Sequence, residues 1–431
     1  MQKTVAVIGA GPMGLAVGYE LVKRGYKPVL FEAAERVGGM TVCFDFGGVE
    51  IERFYHFHCT SDTDFMNMLE ELKISEKLIW KETFMGYWYQ GMLQDWGNPL
   101  ALLKFKGLSL AAKIRYGLFA FMCTKIKKWQ KLDHLEATGW IRRWVGDEAY
   151  TKLWEKLFSL KFYNLSDNLS AAWIWARVRR VGKSRYSLMR EKLGHLEGGS
   201  QTFLNAISEF ITSKGGQIRL GASVEQIVSK NGLVTGVKVS GVEEPFDIVL
   251  STIPLPFVPD LVPDLPSGML LKYRKLQNVA VVCVIAKLKR PVSKNFWVNV
   301  NDDSMDIPGF VEYTNLRPLA GCHIVYLPFY MPGDHPKFSD SNSVFEQKCM
   351  EYLLKIQPRL VSEDFLEVRV SRYRWAQPVC GPNFLSQLPP HESGLKNLWI
   401  ADTSHYYPED RGISESIGFG RKMVEEALSK P

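Results

Sequence analysis

The first forty residues combine two short apolar runs with one helical stretch. Residues 4–8 and 28–31 are apolar, and the first run is rich in β-branched residues, as is typical of parallel strands covered on both faces. The segment between them, through Gly18 to about Lys23, is predicted to be a helix. This order predicts a βαβ unit with a parallel sheet.

Apolar residues recur at helical spacing in later stretches of the chain. These predicted helices are residues 64–75, 103–129, 134–144, 148–158, 170–181, 201–214 and 411–428. Several of them follow one another between residues 99 and 190, so this part of the chain is expected to form a helical unit.

Alternating or continuous apolar runs predict strands elsewhere. We expect short strands around a turn at residues 47–48, and a hairpin over residues 80–93. The Asn-Gly pair at 231–232 is a two-residue turn inside a second hairpin, over residues 222–239. The remaining predicted strands are residues 247–254, 279–285 and 397–402.

Length and composition indicate a folded protein of several domains. At 431 residues the chain is too long for one ordinary core, and its 46% apolar and 23% charged residues are globular in character. The seven cysteines are scattered without any C-x-x-C pair. We therefore expect reduced thiols, with neither a disulfide framework nor a metal site.

Charge is distributed unevenly along the chain. The net charge is +7, yet residues 101–190 contain 19 of the 53 Lys and Arg and only 6 of the 46 Asp and Glu. Three interpretations are open: a solvated basic face over a buried apolar one, a site for an anionic substrate, or contact with lipid headgroups. Nucleic acid is not expected as a partner, because no recognised binding module accompanies the charge.

Part of this basic stretch has the composition of a membrane-surface helix. Its apolar members are Leu118, Phe119, Phe121 and Met122, beside Lys113, Arg115, Lys125, Lys127 and Lys128. No run reaches the roughly 18 to 20 apolar residues of a membrane span, and no signal peptide precedes the first strand. We expect a cytoplasmic protein, with peripheral contact at the inner membrane surface as the alternative.

A glycine-rich turn follows the first predicted strand. Gly9, Gly11 and Gly14 form G-x-G-x-x-G, in which the first glycine makes a tight turn, the second admits a pyrophosphate and the third lets helix and strand pack closely. The free N–H groups at the helix start favour an anion. Glu32 follows about 20 residues later, where a carboxylate accepts from ribose hydroxyls. These features predict nucleotide binding.

Residues 32–40, EAAERVGGM, resemble the E-x-x-x-R-x-G-G-x signature of FAD proteins in the amine oxidase and protoporphyrinogen oxidase superfamily. An arginine supplies a donor fork for phosphate oxygens, and adjacent glycines let the backbone pass close to a bulky ligand. The resemblance implies FAD as the cofactor. It implies cofactor-binding roles for Gly9, Gly11, Pro12, Met13, Gly14, Glu32, Arg36, Gly38, Gly39 and Met40.

Two later segments resemble other FAD-binding parts of the same superfamily. Residues 195–199, HLEGG, precede a helix and a strand in which the backbone of Val224 would bind the adenine. Residues 397–402, NLWIAD, end in Asp402, and the following helix would place Glu415, Ser416 and Ile417 at the flavin. A helix N-terminus there can stabilise negative charge on a reduced flavin. Ala401 replaces the glycine that usually precedes the aspartate.

The resemblance also implies which residues face the flavin ring. In the superfamily the chain after the first FAD segment leads to the ring, so His56 is a candidate for proton transfer. Arg53, Tyr55 and Tyr407 are candidates for substrate binding. The alternative is that the aromatic residues are core and His56 is an ordinary buried histidine, while His58 alternates to the other face.

A strand near the end of the substrate domain is expected to return to the flavin. Its candidates are Arg374 and Trp375, only one of which can point inward because strand side chains alternate. Many flavin amine oxidases carry a lysine on the strand that corresponds to residues 278–286, and this chain has none there. The departure argues against simple amine oxidation.

Together these observations predict an α/β fold: a Rossmann-type, glutathione reductase-like FAD-binding domain, a mixed α/β substrate domain and a basic helical cap. The expected boundaries are 1–75, 195–255 and 385–431 for the FAD domain, 76–98 and 256–384 for the substrate domain, and 99–194 for the cap. The expected function is oxidation of a C–H or C–N bond of a small or cyclic substrate by hydride transfer to flavin, with an anionic substrate left open. Two alternatives are open. The first is a redox-neutral flavoenzyme, because His56, Thr60 and Asp62 resemble a stretch of UDP-galactopyranose mutase, although the mutase-like tyrosines after Arg411 are lacking. The second is a non-catalytic FAD-bound protein.

Overall fold

The computed structural model describes residues 3–183, 187 and 190–429. Among these residues the strands are β1 Val5–Ile8, β2 Val29–Phe31, β3 Cys43–Asp45, β4 Glu50–Glu52, β5 Leu78–Thr83, β6 Met85–Tyr89, β7 Met92–Trp96, β8 Glu191–Leu196, β9 Gln217–Arg219, β10 Val224–Lys230, β11 Leu233–Val239, β12 Val242–Pro245, β13 Ile248–Ser251, β14 Asn278–Leu288, β15 Trp297–Asn301, β16 Gly309–Glu312, β17 His323–Pro332, β18 Phe365–Pro378 and β19 Leu398–Ile400.

The same residues form helices in every part of the chain. The α-helices are α1 Pro12–Lys23, α2 Thr63–Glu71, α3 Pro99–Lys104, α4 Leu110–Lys125, α5 Ala137–Val145, α6 Asp147–Tyr150, α7 Lys156–Phe162, α8 Ala171–Lys183, α9 Ser200–Ser213, α10 Val258–Leu261, α11 Ser267–Lys275, α12 Asn342–Ile356, α13 Phe384–Gln387 and α14 Ile413–Ser429. A π-helical turn, Thr151–Glu155, joins α6 to α7.

A five-stranded parallel sheet in the order β19-β13-β1-β2-β9 forms the nucleotide domain. Its strands come from three distant parts of the chain, each within a segment that the sequence assigns to that domain. β1 lies centrally and is buried along its whole length, and α1, α9 and α14 pack together over the sheet. The predicted parallel α/β fold is therefore observed, with the glycine turn at the carboxyl end of the central strand.

A seven-stranded mixed sheet in the order β18-β14-β17-β16-β15-β6-β7 forms the second unit. Alternate residues of β14 serve two different cores: Ala280 and its neighbours of even number pack toward α12, and Val281 and its neighbours of odd number face the helical unit. The predicted hairpin at residues 80–93 differs in detail. β6 and β7 join this sheet, whereas β5 pairs with β8 in a separate two-stranded sheet.

The helices α3 to α8 form the cap. Its core is aromatic, and α8 is tied to α4 because Trp175 Nε1 donates to the Cys123 carbonyl at 2.8 Å. The single helix predicted over residues 103–129 is wrong, since α3 ends at Lys104 and a new helix begins after Ser109. Ser109 caps α4 by accepting from Ala112 N, and both its backbone N and its hydroxyl donate to Glu148.

Within the described ranges, none of the helices combines the length and the apolar character that a bilayer crossing requires. All seven cysteines are buried and free.

Candidate functional site

The glycine turn is shaped for close approach by a ligand. Gly9 has φ of +94°, and a Cβ on Gly14 would lie 1.9 Å from the Gly9 carbonyl oxygen, so only glycine lets α1 start this close to β1. α1 begins at Pro12 with Gly11 as its N-cap, and no side chain caps it. The N–H groups of its first turn are therefore available to an anion.

The second pair of glycines lies against this turn. Gly38 N donates to the Ala10 carbonyl at 2.8 Å, and a Cβ on Gly39 would stand 3.3 Å from the Gly11 Cα. Gly38 and Gly39 both have positive φ, which glycine adopts without strain. Met40 is half-buried beside this turn, and Met13 is buried in α1. The predicted cofactor loop is thus a compact glycine cradle made by two separate segments.

Two charged residues flank the cradle. Glu32 accepts from Ala10 N at 2.8 Å and from Ala34 N at 3.0 Å, so its carboxylate is fixed at the edge of the sheet with lone pairs remaining. Arg36 is largely exposed and donates to the Cys43 carbonyl at 2.9 Å. Its phosphate-binding role stays a prediction.

Tyr373 lies within electrostatic range of two distant acids of the predicted FAD site. Burial raises the pKa of the Tyr373 phenol to about 12, and the negative charges of Asp402 and Glu32 both contribute to this rise. Tyr373 pairs with Val281 in the seven-stranded sheet and packs against the core shared with the cap, edge-on to Phe54. The sequence placed Tyr373 on a strand returning to the flavin but did not single it out.

The remaining predicted cofactor residues lie along the same region. Val224 begins β10, close to the segment in which Ala222 N donates to the Glu32 carbonyl at 2.8 Å. Asp402 is buried and accepts from Ser404 N at 2.7 Å and from Leu255 N at 3.0 Å, so it organises two loops at the end of β19. Their contacts with a cofactor stay predictions.

The start of α14 presents polar groups next to a buried carboxyl. Ser416 donates to the Gly412 carbonyl at 2.7 Å, and Ile417 is fully buried in the core beneath. Burial raises the pKa of Glu415 to about 7. The positive charge of Arg180 acts against this rise, and the negative charge of Asp62 adds to it. Glu415 Oε2 has no hydrogen-bond partner among the described residues.

Three arginines on α8 join the cap to the nucleotide domain. Arg177 donates to Asp410 at 2.8 Å, Arg179 pairs with Glu409, and Arg180 reaches Asp62 at 3.2 Å. Because Asp410 and Glu409 belong to the loop that precedes α14, the basic cap meets the predicted flavin-facing segment directly.

A second group of cations lies beside these pairs. Lys161, at the end of α7, places its Nζ 4.9 Å from the centre of the Tyr330 ring on β17. Arg411 lies next to Tyr330, and its Nη1 has no hydrogen-bond partner among the described residues. Tyr55 interacts with Tyr330 and packs edge-on against Trp297 and Tyr326. Cap, sheet and nucleotide domain therefore converge on one aromatic, cationic cluster.

The two neighbouring histidines differ in their surroundings. His58 is buried and stacks on Phe65 with ring centres 3.8 Å apart, and burial lowers its pKa to about 3, so it is a neutral core residue. His56 is half-buried and its Nδ1 has no hydrogen-bond partner in the described chain. Burial lowers the pKa of His56 and Glu52 partly offsets this. His56 keeps its proton-transfer role as a prediction.

Two predicted site residues make other contacts in the structure. Arg374 is exposed on β18, where its guanidinium bonds the Gly333 carbonyl and lies over Phe338, and its catalytic role stays a prediction. Tyr407 is buried, and its hydroxyl is held by Asp133 at 2.6 Å and by Ser170. That hydroxyl links the cap to the C-terminal segment, and Tyr407 lines a small cavity together with Asp410 and Arg411. Its substrate-binding role stays a prediction.

The structure also gives the positions of Trp375 and Arg53, whose roles stay predictions. Trp375 packs edge-on against Phe257, with the ring centres 6.1 Å apart. Arg53 is exposed and follows the buried Glu52. The sequence missed Lys161, Arg177 and Tyr330, because no local motif distinguishes them from other cap and sheet residues.

The site fits FAD. The glycine cradle excludes side chains where a diphosphate would lie, and Glu32 retains acceptor capacity where a ribose would lie. Four buried polar atoms of the candidate site have no hydrogen-bond partners among the described residues, namely His56 Nδ1, Gln377 Oε1, Arg411 Nη1 and Glu415 Oε2. Buried polar groups are normally paired. When bound, FAD supplies the electron-accepting chemistry, and these residues would hold it and its substrate.

Comparisons with known proteins agree with this geometry. The chain is 26% identical over 246 residues to 15-cis-phytoene desaturase of Solanum lycopersicum, covering 52% of this chain and 41% of that protein. It therefore spans less than half the length of that relative. Its fold matches putrescine oxidase bound to putrescine, with a TM-score of 0.78, 16% identity and full coverage of both chains. It also matches reduced UDP-galactopyranose mutase, with a TM-score of 0.75, 16% identity and coverage of 100% and 96%.

A family model described as flavin-containing amine oxidoreductase matches residues 14–408, most of the chain. This match and the shared fold confirm the predicted superfamily, the α/β fold class and the FAD cofactor. The chain belongs to the family of flavin-containing amine oxidoreductases.

Proposed function

We propose that the protein uses FAD to oxidise a C–H or C–N bond of a small or cyclic substrate that carries an anionic group, by hydride transfer to the flavin. The observation that carries this proposal is the convergence of Lys161, Arg177 and Arg411 on one cluster around the carboxylate of Asp410. Family membership supports the reaction class, and the excess of positive charge supports an anionic substrate.

The aromatic residues of the cluster suit a flat or cyclic molecule. Tyr55, Tyr330 and Trp297 form one wall, and Trp173 lies below Arg177 with the guanidinium 4.0 Å from its ring. Such walls bind ring faces and exclude water, while the cations orient the anionic group. Hydride transfer then requires only correct positioning, since the flavin carries the chemistry.

Anaerobic reduction of the FAD-bound protein tests this function. The holoprotein is mixed with cyclic secondary amines and dihydroaromatic compounds, each with and without a carboxylate, such as proline against pyrrolidine and 1,4-dihydrobenzoate against 1,4-cyclohexadiene. We expect bleaching of the flavin by carboxylated members of the panel and little by their neutral counterparts. If dithionite reduces the flavin but no carboxylated compound does, the oxidation proposal is wrong.

The same material tests the mutase-like alternative. Turnover of UDP-galactopyranose only after dithionite reduction would replace net oxidation by redox-neutral chemistry. The structure gives this alternative no specific support, because Asp62 of the mutase-like stretch pairs with Arg180 and accepts from Cys59 N at 2.9 Å.

We further propose that the cap binds the surface of an anionic membrane. Leu110, Ile114, Leu118 and Phe121 form one stripe on α4 and are 52 to 65% exposed. Their spacing of three or four residues puts them on one helical face, opposite the buried Ala112, Phe119 and Cys123. Phe119 therefore belongs to the cap core and not to the predicted apolar patch.

Exposed lysines surround this stripe and make anionic lipid the complementary partner. They are Lys104, Lys106, Lys125, Lys127 and Lys128. Arg115 does not join them, because its guanidinium donates to the Arg143 and Trp144 carbonyls at the end of α5. An apolar stripe with a cationic border is the pattern of a helix that lies in the membrane interface.

Vesicle co-sedimentation tests the membrane proposal. The wild type should sediment with phosphatidylglycerol-containing vesicles, weakly with pure phosphatidylcholine, and less at high salt. The variant I114Q/L118Q/F121Q should stay in solution. The control V242Q/L271Q/L366Q changes similarly exposed apolar residues elsewhere and should bind like the wild type. Equal binding of both triple variants would overturn the proposal.

A further inference from the structure

Lys161 has surroundings that are unusual for a lysine. Within the described part of the chain it has neither an ion-pair nor a hydrogen-bond partner. Its Nζ lies over two aromatic rings, 4.9 Å from the centre of Tyr330 and 5.6 Å from that of Phe162. Other lysines of the same region are paired, as Lys156 is with Asp303 at 2.9 Å.

The charged groups that face Lys161 come from two other elements. Arg177 on α8 and Arg411 before α14 repel its positive charge, and Asp410 attracts it. Asp410 is already bonded to Arg177 at 2.8 Å, and β17 contributes the uncharged phenol of Tyr330. Arg411 Nη1 is thus a buried donor without a hydrogen-bond partner among the described residues, and Lys161, which contacts the same Tyr330, forms no salt bridge there. A buried cation needs an anion.

We propose that Lys161 and Arg411 form an oxyanion subsite in this cleft, and that Lys161 takes up one proton from solvent when a carboxylate or phosphate group of the substrate binds there. This inference rests on the proposed function, since it concerns the same cleft. Arg411 supplies a fixed donor fork, and the lysine adds a point charge whose protonation depends on the bound anion.

The proton uptake follows from the free and bound states of Lys161. Burial lowers the pKa of Lys161 to about 7, with Arg177 and Arg411 acting in the same direction against the attraction of Asp410. Above pH 7 the free amine is therefore mostly neutral. A bound oxyanion stabilises the ammonium form and raises its pKa, so binding adds a proton. At pH 6 the amine is already protonated, and little uptake remains.

Ligand titration of the FAD-bound protein tests the inference without turnover. Benzoate and phenyl phosphate are the anionic probes, and benzamide is the neutral control, each followed by calorimetry and by the flavin spectrum. For the wild type we expect the affinity for an anionic probe to fall about 10-fold per pH unit above pH 7. Calorimetry in buffers of different ionisation enthalpy should show uptake of close to one proton at pH 8.

Variants separate this role from a structural one. K161R should bind the anion with little dependence on pH, because arginine stays protonated, whereas K161M should bind it at least 10-fold more weakly at pH 6. The control K156M should behave like the wild type. Flavin content and Tm, measured for each variant, identify those that fail to fold.

Three outcomes would overturn the inference: no binding of either anion, equal binding of benzamide, or a pH dependence that persists in K161R. The proposed oxidation is judged separately, by anaerobic bleaching. Anion binding with proton uptake but without bleaching would leave the subsite in place and remove only the oxidation.

Discussion

Arg177 on α8 donates a hydrogen bond to Asp410 at 2.8 Å, and this contact joins the helical cap to the loop that starts the last helix. The two residues are 233 positions apart in sequence. Because the loop belongs to the nucleotide domain and precedes the segment predicted to meet the flavin, the ion pair fixes the cap over the cleft.

Breaking this pair should destabilise the protein. R177M and D410N should each lower the free energy of unfolding by about 1–3 kcal/mol, between the values of exposed and buried pairs, because each leaves a partly buried charge without its partner. The double variant should lose less than the sum of both. Denaturant unfolding of all four proteins measures the coupling, and strict additivity would contradict it.

The same ion pair predicts that the stability of the protein depends on pH in the acidic range. Burial raises the pKa of Asp410, but the attraction of Arg177 and Arg411 outweighs this and holds it below its usual range. A carboxyl with a depressed folded-state pKa stabilises the protein above its unfolded value of about 3.9 and loses this contribution as pH falls below it. Tm measured from pH 6 downward should fall less steeply for D410N below about pH 4 than for the wild type.

His58 should make the protein less stable on mild acidification. Its pKa is lowered by burial to about 3 in the folded protein, against about 6.5 when unfolded, so only the unfolded chain binds the proton between these values. Below pH 6.5, the titration of His58 should lower the free energy of unfolding by up to about 1.4 kcal/mol per pH unit. H58F keeps a ring against Phe65 and cannot titrate, so its unfolding free energy should change less between pH 7 and pH 5. An unchanged slope would contradict the assignment.

Two glycines should separate cofactor binding from folding. G14A places a methyl group 1.9 Å from the Gly9 oxygen and should prevent normal folding, seen as a low yield or a large loss in Tm. In G11A the methyl meets only Gly39 Cα at 3.9 Å, so the protein should fold but lose FAD, because the methyl occupies the diphosphate approach. G268A, where no described atom lies within 4 Å, is the control. Full FAD content in G11A would show that the cofactor lies elsewhere.

Glu32 should contribute to FAD affinity. E32A removes the acceptor for ribose hydroxyls and should raise the Kd for FAD on the order of 10- to 100-fold, the value of one or two hydrogen bonds to a charged group. E35A, an exposed neighbour, is the matched control. Apoprotein titrated with FAD provides the measurement, and equal affinities of both variants would refute the role.

Much of the nucleotide domain could be predicted from local sequence. Gly9, Gly14, Gly38 and Gly39 are required by backbone geometry or close contacts that only glycine tolerates, so the sequence pattern alone indicates the shape of this turn. Regular apolar spacing likewise predicted β14 and α14. The prediction of a single helix over residues 103–129 is wrong, because Ser109 caps a new helix within this range. A cap needs only one residue, and Ser109 is held in place by Glu148 of another helix, so apolar spacing does not reveal the break.

The functional cluster was less accessible to sequence reasoning. Arg374 has the charge that suits the site, but it is exposed and bonds the Gly333 carbonyl, whereas Tyr373 next to it is influenced by Glu32 and Asp402. Tyr407 is predicted to bind substrate, yet Asp133 of the cap occupies its hydroxyl. In each case the deciding contact comes from a residue far away in the chain.

The sequence by itself indicated that FAD is the cofactor, because the glycine-rich turn, Glu32 and the second glycine pair lie within forty residues and follow local backbone rules. Only the tertiary structure decided which side chains surround the substrate cleft. Lys161, Tyr330 and Arg411 lie on separate elements of the cap, the sheet and the nucleotide domain. Their proximity and the lowered pKa of Lys161 arise from packing these three units together, and no local pattern encodes that arrangement.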